Sequence, residues 1–104
     1  MNNVLLGVLK EELERNLQKQ RVFLNEFAKY PKGSLCVINI HGDEYVYRKY
    51  REGNKIISKY IGQVNSDSAK EAYKNREEYL KLKQDLKELK EEEIKLRKAI
   101  KIYT

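Results

Sequence analysis

The sequence predicts an α+β fold, in which a long N-terminal helix, a three-stranded antiparallel β-meander and a longer C-terminal helix follow one another. Apolar residues recur at alternating spacings of three and four near both ends of the chain. The stretch between them is rich in β-branched residues and tyrosine and holds four of the five glycines. At 104 residues the chain has the length of a single domain. We expect a helix over 1–30, the meander over 31–62 and a helix over 66–103.

The N-terminal helix is predicted by a heptad pattern that stops at a proline. Its apolar run is too short to span a membrane, so no membrane partner is expected. Pro31 disfavours the α conformation in the residue before it, and the helix should therefore end near Lys29. The eight residues of the heptad pattern are Leu6, Leu9, Leu13, Asn16, Gln20, Phe23, Phe27 and Tyr30.

The middle stretch predicts three strands, Ser34–Ile40, Glu44–Arg51 and Lys55–Ile61. The separators His41-Gly42-Asp43 and Glu52-Gly53-Asn54 are of hairpin size and contain residues that tolerate positive φ. Alternation along the middle strand separates one set of side chains (Tyr45, Tyr47, Lys49, Arg51) from another (Val46, Arg48, Tyr50). Neither set is cleanly apolar, so the pattern leaves open which face meets the helices.

The C-terminal helix carries a second heptad pattern, with one polar member, Glu93. Ser68 and Glu71 fit a capping box at its start. We expect the two helices to pair as an antiparallel coiled-coil stem, with the meander as a cap. The residues of this second pattern are Tyr79, Leu82, Leu86, Leu89, Glu93, Leu96, Ile100 and Tyr103.

Pairing the helices from the meander outwards places Gln20 beside Tyr79 and Leu6 beside Glu93. The pattern then continues through Leu96, Ile100 and Tyr103 without an intrachain partner, which is typical of a contact surface. We therefore predict self-association of the chain as a homodimer through these three residues or along the helices. Fraying of this end, or its coverage by another protein, is the alternative.

The charge of the chain is concentrated on the meander. The net charge is +6, and residues 31–62 carry six basic and three acidic side chains, whereas both helices are nearly balanced. Basic groups neutralise phosphates and aromatic rings stack on bases, so this composition favours binding of nucleic acid or a nucleoprotein complex. A structural or protein-binding sheet is the alternative, because tyrosine favours strands and lysine protects sheet edges. The candidate binding residues are Tyr45, Tyr47, Arg48, Lys49, Arg51, Lys55 and Lys59.

The sequence contains no pattern typical of an enzyme. One histidine (His41) and one cysteine (Cys36), without a third partner, predict neither a metal site nor a catalytic pair. We therefore expect no catalytic residue, no metal and no cofactor. A lone cysteine fits a cytoplasmic protein, and Cys36 is expected to be a small buried strand residue.

The stretch from Tyr45 to Gly62 reads Y-x-Y-x-x-Y-R-x-G-x-K-x-x-x-K-Y-I-G. With the charged helix that follows, it resembles a family of small uncharacterised bacterial proteins common on phages, plasmids and other mobile elements. About 20 residues are also similar to the three-stranded DNA-binding sheets of some integrases and transposases. That second resemblance implies a binding role for Tyr47, Arg48, Lys49, Arg51 and Lys55, without a recombinase domain.

Three functions are compatible with these observations. The first is a non-enzymatic nucleic-acid- or nucleoprotein-binding accessory protein of a mobile element. The second is a protein-directed inhibitor of a host defence nuclease, resembling an anti-CRISPR protein, or an antitoxin-like factor. The third is a structural coiled-coil adaptor. Salt-dependent binding to nucleic acid distinguishes the first from the others.

Overall fold

The computed structural model describes residues 3–104 and confirms the predicted α+β class. Two helices flank a three-stranded antiparallel sheet of order β1-β2-β3. The residues group into two compact units, of which one combines α1 with Lys81–Thr104 and the other is Tyr30–Leu80. The elements are α1 (Asn3–Phe27), β1 (Ser34–Ile40), β2 (Asp43–Glu52), β3 (Lys55–Gln63) and α2 (Asp67–Ile102).

The two hairpin turns have the backbone conformation that their residues favour. His41 and Gly42 both adopt positive φ, at 53° and 88°, as a two-residue turn of type I′ requires. In the second turn Gly53 has φ 61°. Because these turns are short, β2 pairs with β1 on one side and with β3 on the other.

A β-bulge interrupts the pairing of β2 with β3. Val46 pairs with Gly62, whereas the next residue, Tyr47, pairs with Tyr60, so Ile61 is the additional residue of β3. Strand β3 extends to Gln63, two residues beyond the predicted end.

Helix α2 begins with a serine cap, but the capping residue is not the predicted one. The backbone N–H of Ala69 donates to Ser66 Oγ at 3.2 Å, and Ser66 Oγ donates to the carbonyl of Gln63 at 2.6 Å. Ser66 is therefore the N-cap. The predicted capping residue, Ser68, lies inside the first turn, because the helix starts at Asp67.

The helical unit contains a buried polar cluster. Asn16 is 2% exposed and Gln20 is 8% exposed. Asn16 Nδ2 donates to the carbonyl of Leu89 at 2.8 Å, and Gln20 Nε2 donates to Asn16 Oδ1 at 2.6 Å and to Glu93 Oε1 at 2.8 Å. Arg97 Nε donates to the other oxygen of Glu93 at 2.7 Å. The polar members of the two heptad patterns thus meet.

This cluster shows that the predicted pairing of the helices is wrong. Gln20 lies beside Glu93 and not beside Tyr79. The reason is that the first turns of α2, up to Leu80, belong to the sheet unit, so α1 pairs with Lys81–Thr104. The antiparallel coiled coil along the whole stem stays a prediction.

The three residues predicted to lack an intrachain partner differ in exposure. Leu96 and Ile100 are half-buried within the single chain. Tyr103 is exposed. The predicted overhang rested on the wrong pairing, and the homodimer through these residues stays a prediction.

Candidate nucleic-acid interface

The strand register divides the side chains of the sheet between two faces. We call the face that bears Val46, Arg48 and Tyr50 the helix-facing side, because Arg48 lines a cavity together with Ala72 and Arg76 of α2. Val46 on this side is fully buried. The opposite side, which bears Tyr45 and Tyr47, is the open face. The structure therefore determines which face lies against a helix, which the sequence left open.

The open face has an ordered arrangement of side chains. Cross-strand partners lie side by side on the same face, so the register defines successive rows across the sheet. Apolar and aromatic rows lie toward the first turn, and a polar, basic row follows. The rows are Ile38 with Tyr45, then Cys36 with Tyr47 and Tyr60, then Ser34 with Lys49 and Ser58, then Arg51 with Ile56.

Three tyrosines form a cluster in the middle of the open face. The ring of Tyr60 lies 5.4 Å from that of Tyr47 and 6.2 Å from that of Tyr45, measured between centroids, at interplanar angles of 64° and 52°. Tyr60 is 53% exposed, whereas the other two are half-buried. One ring is thus held in place by two neighbours and still presents much of its surface to solvent.

Two of the predicted basic residues lie on the open face, and three do not. Lys49 and Arg51 follow Tyr47 along β2 and are exposed on the same side. Arg48 lies on the helix-facing side, paired with Lys59 across β3. Lys55 pairs with Glu52 at the hairpin end, and the alternation places both on the helix-facing side. The basic part of the candidate interface is therefore smaller than predicted.

The open face combines two kinds of contact in one surface. Exposed aromatic rings provide stacking surfaces for bases, and adjacent cations attract phosphates. Unpaired bases are needed for such stacking, because a duplex hides the base faces. The same face also carries exposed apolar side chains, with Ile40 at 44% and Ile56 at 70% exposure, and these suit contact with a protein.

The helix-facing side contains a cavity of about 210 Å³ whose residues were mostly not predicted to be functional. Arg48 was predicted as a binding residue of the sheet, whereas Arg76 and Tyr79 of α2 were not predicted as site residues. The sequence did contain an indication of this site, since the heptad spacing continues toward the start of α2 through Ala69, Ala72, Arg76 and Tyr79. Small residues in such a pattern indicate that the helix packs closely against another element.

Arginine side chains of the cavity are held by aromatic rings. Arg76 Nη1 donates to the carbonyl of Gly33 at 2.6 Å, and its guanidinium carbon lies 5.1 Å from the centroid of the Tyr79 ring. The guanidinium carbon of Arg48 lies 5.6 Å from the Tyr50 ring. Arg48 Nε is buried and has no hydrogen-bond partner among residues 3–104.

Residues 3–104 contain no cluster of three or more metal-binding side chains. Within the same range neither helix is long and apolar enough to cross a membrane. Cys36 is a free thiol in β1 and is half-buried rather than buried.

Comparison with known proteins finds no match for this chain among family models, curated proteins or solved structures. The resemblance carried by Tyr45–Gly62 therefore stays a prediction.

Proposed function

We propose that this protein is a non-enzymatic accessory protein, of the kind found on mobile elements, that binds single-stranded nucleic acid through the open face of its sheet. The observation that carries the proposal is the tyrosine cluster of Tyr45, Tyr47 and Tyr60 beside Lys49 and Arg51 on the open face.

The geometry supports a binding mode in which a base stacks on Tyr60 while the cations hold the adjacent phosphates. Tyr60 is packed against two other rings, so little side-chain entropy is lost when a base covers it. Lys49 lies one row further along the sheet, beside Ser58. The neighbouring row thus supplies a cation and a hydroxyl for a phosphate.

A protein target is the second candidate, because Ile40 and Ile56 on the same face are exposed at 44% and 70%. In that case the chain is an inhibitor of a host defence nuclease or an antitoxin-like factor. Such a complex gains its stability from apolar burial and responds weakly to salt.

Fluorescence anisotropy with labelled single-stranded DNA and RNA of about 12 nucleotides tests the proposal, since sheet-based sites cover about 4–16 nucleotides. Tyr60→Ala should weaken binding by about 5- to 150-fold, the value of one stacked base. Tyr73→Ala is the matched control, because Tyr73 is an exposed tyrosine of α2.

The basic residues are tested through the salt dependence of binding. The double variant Lys49→Ala/Arg51→Ala should reduce the slope of log K against log salt by about 1.4, or about 0.7 per phosphate. Lys59→Ala removes one charge from the opposite face. It should reduce the slope by less than the value of about 0.7 expected for a residue that contacts a phosphate. Failure of the wild-type chain to bind any single-stranded oligonucleotide at low salt would reject the proposal and favour a protein target.

A further inference from the structure

We propose that the cavity between the sheet and the first turns of α2 binds a small organic acid, whose oxyanion is held by Arg48 and Arg76. Both arginines line this cavity. The site lies on the helix-facing side, so it is distinct from the open face and does not depend on nucleic-acid binding.

The first argument is an unpaired arginine. Arg48 lines the cavity, and none of the ion pairs among residues 3–104 involves its guanidinium. The acceptor that suits a guanidinium best is a carboxylate or phosphate, which can receive two parallel hydrogen bonds.

The second argument is the charge of the cavity. Two arginines and one carboxylate, that of Glu71, line it. None of the ion pairs among residues 3–104 joins Glu71 to Arg48 or to Arg76. The cavity therefore has an excess of positive charge.

The third argument is how the second arginine is positioned. Arg76 uses Nη1 to donate to the carbonyl of Gly33 and lies over the ring of Tyr79. These contacts fix the guanidinium plane and occupy one of its donors. A fixed guanidinium loses little entropy when it binds an oxyanion.

Size and polarity define the rest of the ligand. The cavity of about 210 Å³ has apolar walls from Pro31, Leu35, Ile61 and Ala72. An apolar cavity of about 150 Å³ holds benzene, so a ring with one acidic group fits. The structure thus points to a compact aromatic or aliphatic acid rather than to a bare inorganic ion.

Nuclear magnetic resonance of the full chain tests this proposal with benzoate and phenyl phosphate as probes and benzamide as the neutral control. The two acids distinguish a carboxylate from a phosphate head group. We expect saturable shifts of the Nε–Hε signals of Arg48 and Arg76 with at least one acid, and much smaller shifts with benzamide.

Variants separate this site from general charge effects. Arg48→Gln and Arg76→Gln should each weaken binding about 10-fold or more, since each removes a charge-assisted hydrogen bond. Lys59→Gln, a charge loss on the same side of the sheet but outside the cavity, should leave affinity unchanged. If Arg48→Gln does not fold, as judged by circular dichroism, Arg48→Lys replaces it and should still weaken binding, because lysine lacks the planar donor pair.

Three results would overturn the proposal. The first is that neither acid gives saturable shifts up to about 20 mM, a range that covers very weak sites. The second is that benzamide shifts the arginine signals as much as the acids do. The third is that Lys59→Gln weakens binding as much as the arginine variants do. Saturable binding of one acid that depends on both arginines establishes the site.

Discussion

Replacing Asn16 by alanine measures how much the buried polar cluster contributes to stability. Asn16 is 2% exposed, donates to the carbonyl of Leu89 and accepts from Gln20. Losing both hydrogen bonds costs about 1 kcal/mol each. Alanine favours a helix over asparagine by about 0.6 kcal/mol, which offsets part of this loss. Gln20 keeps its hydrogen bond to Glu93, so the net expected loss is about 1–2 kcal/mol.

The assay is urea and thermal unfolding of the full chain, monitored by circular dichroism at the helix band. For a domain of this size about 1 kcal/mol corresponds to 4–8 °C in Tm, so the Tm of Asn16→Ala should fall by about 5–15 °C. The matched control is Asn25→Ala, because Asn25 lies in the same helix and is exposed. Its stability should stay equal or rise slightly.

The comparison of the two variants decides whether the cluster stabilises the helical unit. If Asn16→Ala and Asn25→Ala unfold within about 0.5 kcal/mol of each other, the range typical of surface substitutions, then the hydrogen bonds of Asn16 add nothing beyond those available in water. The cluster would then serve only to select the pairing of the helices.

Two further predictions concern charge and backbone. The hydrogen bond from Gln20, then that from Arg97, lowers the pKa of Glu93 below its usual 4.5. The stabilising effect of the Glu93 carboxylate is therefore present above about pH 4.5 and is lost as the pH falls through the lowered pKa. When unfolding is measured from neutral pH to about pH 3, Glu93→Gln should lose less stability than the wild type, and equal losses in the two proteins would contradict this role of Glu93. Gly33→Ala should lower the unfolding free energy by more than about 1 kcal/mol, because Gly33 has φ 102° and an added Cβ would meet a carbonyl of β2. Gly7→Ala, at a helical position with open space around it, should raise the free energy by about 0.5–1 kcal/mol, and a similar loss in both variants would refute the backbone explanation.

The sheet could be predicted closely from the sequence because local residues determine it. The turns at His41-Gly42 and Gly53-Asn54 separate strands whose observed bounds differ from the predicted ones by no more than two residues. The faces could not be assigned, since tyrosine and basic residues alternate on both sides of β2. The bulge at Ile61 was not predicted, although the adjacent Gly62 was a local indication, because a glycine inside a strand often marks a bulge.

The pairing of the helices was predicted wrongly because the heptad pattern repeats and several alignments satisfy it. The alignment of the helices is determined by the fact that Ala69, Ala72 and Arg76 belong to the sheet unit. Their role depends on contacts distant in sequence. The cavity escaped prediction for the same reason, since its walls come from segments that are more than thirty residues apart, such as Leu35 and Ala72.

The meander also has a consequence for how the chain acquires its structure. Each strand pairs only with its neighbour in sequence across a two-residue turn, and such local contacts form quickly, with a hairpin closing in about 1–10 µs. A ribosome adds only about 5–20 residues per second, so the strands have time to pair before α2 is complete. Until then, Val46 and the rest of the helix-facing side are uncovered. In this interval a nascent chain exposes Val46, which is fully buried in the finished protein.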